Sequence, residues 1–254
     1  MTTEQPIAAT LLQIFSDSVA TALNAAGIPC LLWNHYLWQA HGICVLVPSV
    51  DFVIPDGSVE AAKEVMTTSH FSKSVDACPD TTKCSEGNAP DRKYPHPSFH
   101  MHSNGRGVGF YVQSETLWFL PPLDATLANP KANPLPPYLA FACDRTALPP
   151  GAPGIGMGTF DSDETVVLVL KAHILTEALM RIMAAHAGKI IGTYAIQHFC
   201  YIEEFVEGRG FLDIDLLPRP LADFYRAFKD NPAFGLVLKE LQRALEVPVR
   251  PVDH

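Results

Sequence analysis

Residues 31–56, LLWNHYLWQAHGICVLVPSVDFVIPD, hold most of the side chains in this chain that could do chemistry. Asp51 sits in an apolar run, where a lone carboxylate can serve as a general base or as a hydrogen-bond acceptor that orients a neighbour. The bland alternative is a carboxylate paired with a nearby donor. His35, in the turn after an apolar strand, could donate a hydrogen bond or a proton, or be an ordinary turn histidine. Further on, His100-Met101-His102 has the alternation that puts two imidazoles on one strand face. A zinc site would need a third ligand, such as His96 or Asp51, and without one ordinary strand histidines are favoured. Gly154–Gly158 (GIGMG) resembles a phosphate loop only superficially, because no helix follows at the required point. No Gly-x-Ser-x-Gly elbow and no Ser-His-Asp order is present, so esterase chemistry has no support.

These side chains need elements to position them. Ile7, Leu11, Leu12, Ile14, Phe15, Val19 and Leu23 recur at helical spacing, and Gly27 ends that helix. Residues 28–33 read as a short buried strand, 35–41 as two helical turns stopped by Gly42, and 44–55 as a strand in which Pro48 marks an edge, bulge or break. A helix opened by Ser58 follows. Residues 76–98 form a long polar loop that could cover a pocket. The segments 98–103 and 107–114 flank an Asn-Gly-Arg-Gly turn and read as a hairpin. After a proline-rich connection at 121–137 comes a strand at 138–144, then a loop. The stretches 165–187, 190–207 and 220–246 read as helices, the first capped by Asp161 or Ser162. The expected organisation is an α/β (α+β) domain over 1–160 followed by a helical C-terminal domain over 161–254.

Composition narrows the function classes. The 254-residue chain is 48% hydrophobic and 18% charged, which excludes disorder. Its net charge of −9, with no basic stripe, argues against nucleic acid and anionic membranes as partners. The most apolar long stretch carries Lys171, His173, Glu177 and Arg181, so it is no membrane span, and the N-terminus lacks the features of a signal peptide. Six scattered cysteines without a CxxC pair fit reduced thiols in a cytoplasmic protein. Cys78 and Cys84, flanking a polar loop, are the one pair worth testing for a bridge.

The stretch 34–51 resembles the front end of nucleotidyltransferase-fold proteins. That family has a Gly-Ser type turn after the first strand, a short helix ending in glycine, and Asp-x-Asp on the second strand. Here Asn34-His35 stands in the turn, Gly42 at the helix end, and Ser49-Val50-Asp51 in place of Asp-x-Asp. GIPCLLW, LWFLP, AFACDRTALP and GIGMGTF are similar in order to segments of a group of fungal nucleotidyltransferase-like proteins, so the likeness covers most of the chain. It implies a nucleotidyltransferase-like mixed sheet domain followed by a helical part, with a ligand cleft between them. It also implies the location of the lost chemistry. Ser49 offers a neutral hydroxyl, and the strand for a third acid presents Gly109, Phe110 and Tyr111.

Two-metal phosphoryl transfer needs paired carboxylates, so the expectation is a degenerate member with no metal and no cofactor. The function expected is a metal-independent enzyme acting on an apolar small molecule. Its narrower form is a cyclase of fungal natural-product assembly, closing a ring by a pericyclic (Diels–Alder type) reaction. His35, Asp51 and Tyr111 are the expected catalytic residues. Trp33, Asn34, Tyr36, Trp38, Ser49, Phe99, His100, His102 and Trp118 are the expected substrate contacts. The alternatives are a residual Mg²⁺-dependent nucleotidyltransferase using Asp51 and a non-catalytic ligand-binding protein. Substrate identity and oligomeric state are not legible in the sequence.

Overall fold

Leu31-Leu32-Trp33 is apolar at every position, as a strand covered on both faces must be. In the computed structural model, which describes residues 5–68, 75–77, 98–101, 107–150, 158–230 and 234–246, these three residues form β1 (Leu31–Trp33) near the middle of a mixed sheet. It pairs antiparallel with β2 (Ser49–Ile54) and parallel with β7 (Leu168–Leu170). Among the described residues the sheet has seven strands in the order β3-β4-β5-β2-β1-β7-β6. The others are β3 (Val75–Ala77), β4 (Ser98–Met101), β5 (Gly107–Val112) and β6 (Leu139–Phe141). β2 and β5 run parallel, with Asp51 opposite Gly109 and Val53 opposite Tyr111.

Helix α1 (Gln5–Ala25) buries Leu12, Ser16, Val19, Ala20 and Leu23, one stripe at helical spacing, and leaves Leu11 and Ile14 exposed. It is released by Gly27, whose φ of +74° lies in the left-handed region that glycine enters without cost. Helix α2 (Asn34–Ala40) packs on β1 and β2, and α3 (Val59–Thr68) on β3 and β5. The short α4 (Gln113–Thr116) caps the end of β5. Gln113 there is buried and spends its amide on the Pro121 carbonyl and the Leu123 N–H, which fixes the proline-rich connection.

The expected hairpin at 98–114 is present as the antiparallel pair β4–β5. Several expectations need correction. The strand predicted over 44–55 begins only at Ser49: Pro48 has no N–H to give, and its carbonyl instead accepts from the Gly107 N–H at 2.9 Å. Residues 168–170, read as helix, are a sheet strand, and helix starts at Ala172. Ser162 therefore caps no helix; its hydroxyl accepts from the Glu164 N–H in a local turn. The polar loop predicted from residue 76 also begins as strand, since β3 occupies 75–77; its remainder and the Cys78–Cys84 pair lie outside the described residues.

The chain has an α/β mixed-sheet part followed by a helical C-terminal part. The described residues up to Lys171 form one compact unit and those from Ala172 a second, so the boundary expected at 160 falls after β7 instead. In the second unit α5 (Ala172–Ala185) packs against α6 (Ile190–Tyr201), and α7 (Arg219–Asp230) against α8 (Phe234–Ala244). The stretch 220–246, read as helical, holds two described helices, α7 and α8. The Phe199 ring lies 5.0–6.0 Å from the rings of Phe224, Tyr225 and Phe228, the centre of this unit's core. No described helix is long and apolar enough to cross a membrane.

Candidate functional site

The site forms where β1 ends. Asn34, the first residue after it, has φ +60°, the left-handed conformation that asparagine tolerates better than most residues. The turn directs the chain into α2, and Gly42, at φ +79°, releases it again. The return strand β2 then runs antiparallel to β1, which places Asp51 opposite Trp33 and beside the turn. The Asn34 side-chain amide donates to Asp51 Oδ2 at 2.9 Å. Ser49, two residues earlier on the same strand face, donates its hydroxyl to that same oxygen at 2.8 Å. On the other flank stands Gly109, which adds no side chain.

Asp51 is 1% exposed. Burial pushes its carboxyl up to about 6, against the pull of the Ser49, Asn34 and Gly109 donors. The Gly109 N–H faces the carboxyl without closing a regular hydrogen bond to Oδ1. Near neutral pH this group is a buried acid poised to exchange a proton, and it holds the turn by accepting two hydrogen bonds. Its neighbours Asn34, His35 and Ser49 are half-buried, so they, rather than Asp51, form the outer surface of the cluster.

The residues named from sequence are distributed unevenly around this cluster. Asn34, Ser49 and Asp51 are joined by hydrogen bonds, and His35 lies one residue from Asn34 at the start of α2. Tyr111, half-buried, shares the strand face of Gly109 and Asp51, two register rows along. The Trp33 and Trp38 rings lie 5.9 Å apart, and Tyr36 packs 5.3 Å from Phe160. All three named aromatics are buried and fill core beneath the turn. Phe99 pairs with Val108, a register position on the sheet face opposite to that of Asp51. Position 100 pairs with Gly107 and Asp76, in the row that also contains Ser49. Trp118 follows α4, 42% exposed, with its ring edge-on to Phe119. His102 lies outside the described residues, as do His96 and most of the GIGMG loop.

A pair of divalent cations does not fit these residues. Two divalent cations need several anionic oxygens. Beside Asp51 stand the neutral Ser49 hydroxyl and Gly109, which has no side chain, and the Asp51 carboxyl has two donors aimed at one of its oxygens. Among the described residues no three His, Cys, Asp or Glu side chains are grouped to hold a metal ion.

Sequence reading missed His41. It ends α2 fully buried, with Nε2 2.9 Å from the Leu170 carbonyl of β7. Burial lowers its pKa to about 4. The available signal was a histidine closing an apolar seven-residue segment just before a glycine. In the second unit, Glu207 accepts from Tyr225 Oη at 2.8 Å and from Lys229 Nζ at 2.9 Å, tying α7 to the turn after α6. Comparison with family models, with curated proteins and with solved structures gave no significant match.

Proposed function

We propose that this chain is a metal-independent enzyme on a degenerate nucleotidyltransferase-like scaffold, acting on a neutral, largely apolar small molecule. The observation that carries this reading is the double use of Asp51 Oδ2 by Ser49 and Asn34, opposite a glycine. A carboxyl so engaged, and held near 6 by burial, is suited to hydrogen-bond and proton chemistry rather than to gathering cations. The order strand, left-handed turn, short helix, glycine, strand supports the scaffold assignment, with the parallel β5 where a third acid would lie.

The reaction class we assign is intramolecular ring closure, of pericyclic type, in natural-product assembly. Such a step conserves every atom and needs no cofactor. His35, Tyr111 and Asn34 supply hydrogen bonds to an activating carbonyl, and Asp51 orients Asn34. One well-placed donor of this kind contributes about 3 kcal/mol to a barrier. Incubation with linear polyene or terpenoid aldehydes tests it, the expected product being an isomer of unchanged mass. No acceleration over buffer, in a panel where ligand binding is detected, contradicts it.

A second reading is favoured by one observation: Trp33, Tyr36 and Trp38 fill core rather than line an opening. On that reading the chain binds an organic ligand without turnover. Ligand-induced thermal stabilisation with no product, unchanged by His35→Ala or Tyr111→Phe, identifies it.

A further inference from the structure

Helix α2 has seven residues, too few to hold itself through its own hydrogen bonds. Its geometry depends on what grips its ends. The first end is held by the Asn34–Asp51 bond to β2. At the other end the Gln39 carbonyl accepts from the Gly158 N–H at 2.8 Å, and His41 reaches β7. The Leu170 carbonyl can only accept, so His41 Nε2 carries the proton and donates. Its Nδ1 is buried with no hydrogen-bond partner. An apolar side chain of similar volume would fill this space without leaving a ring nitrogen unpaired. The bond to Leu170, made across 129 residues of chain, is what the imidazole adds.

We infer that His41 is a positioning residue: by locking the C-terminal end of α2 to β7 it fixes the helix whose first turn carries His35 and Asn34, the donor to Asp51. The consequence for chemistry rests on the function proposed above, but the locking itself does not. Substitution separates the bond from the packing. His41→Gln keeps an N–H at a similar reach, whereas His41→Leu keeps apolar volume and leaves the Leu170 carbonyl unpaired.

The test is residue-resolved amide exchange on the full chain, with the His35 ring signals followed by NMR. The amides to watch are those of His41, Gly42 and Ile43, which bond back to Leu37, Gln39 and Trp38. His41→Leu is expected to speed their exchange about tenfold or more, the scale of one lost buried hydrogen bond. It is also expected to shift the His35 signals while leaving β2 and β5 amides unchanged. His41→Gln is expected to restore both. Equal loosening of the whole chain, no change in His41→Leu, or a His41→Gln as loose as His41→Leu overturns the inference. Should His41→Leu not fold, His41→Gln decides: retained α2 protection supports the lock and lost protection refutes it. Exchange is read without substrate, so a failure of the proposed activity leaves this result standing.

Discussion

Asn34, in a left-handed backbone conformation at φ +60°, donates to Asp51 at 2.9 Å. Asn34 thus adopts a backbone shape that glycine favours and adds a bond to the buried acid. The two halves of that role come apart on substitution. Asn34→Ala loses the bond and strains the turn, whereas Asn34→Gly loses only the bond. The strain alone is worth about 1–2 kcal/mol. Denaturant titration should therefore find Asn34→Ala less stable than Asn34→Gly by that margin, and both less stable than the parent.

The pH dependence of stability follows from two buried groups with opposite shifts. Asp51 titrates near 6 when folded against 3.8 ordinarily, so between those values the folded state holds the extra proton and stability falls as pH rises. His41 titrates near 4 against 6.5, so over that window the unfolded state holds the extra proton and stability falls as pH drops. Each contribution amounts to about 3 kcal/mol, and in the parent they largely offset each other. Asp51→Asn should expose the histidine slope, with stability rising from pH 4 to 6.5. His41→Gln should expose the aspartate slope, with stability falling from pH 4 to 6. Parallel profiles for the two variants would contradict both assignments.

How much of this was legible in the sequence depends on how local each cause is. The turn, α2 and β2 could be read because an apolar run, a seven-residue segment and Gly42 are neighbours in the chain. Residues 168–170 were misread because LVLKAHIL is apolar in a way that suits strand or helix alike. Only pairing with β1 and β6 decides it. Burial of Asp51 was not legible, since it requires β5 alongside, and neither was the bond of His41 to Leu170. The aromatics near the turn are mainly core by composition, and only the resemblance sets several of them near a ligand cleft. Their ring partners, Phe160 among them, place them in core.

Adding acids beside Asp51 should create a cation affinity that the parent lacks. Ser49→Asp with Gly109→Asp sets two further carboxylates beside Asp51 in register. Without cation the crowded acids should lower the melting midpoint, and Mn²⁺ should raise it again because it binds only the folded site. The parent midpoint should not respond. A parent that responds to Mn²⁺, or a double variant that ignores it, contradicts this account of the cluster.

The buried and exposed thiols offer a check on the fold itself. Cys30 is buried, with its thiol pushed up to about 12, while Cys44 and Cys200 are exposed. Alkylation of the native chain at pH 8, read by peptide mass, should label Cys44 and Cys200 and spare Cys30. Denaturant should be needed to expose it.

A carboxyl gripped by Ser49 and Asn34 should not assemble nucleotide-bound magnesium. Calorimetric titration of ATP with Mg²⁺ into the parent and into Asp51→Ala measures this directly. The expected result is no binding that depends on Asp51. Saturable magnesium-dependent binding by the parent, abolished in Asp51→Ala, would contradict it.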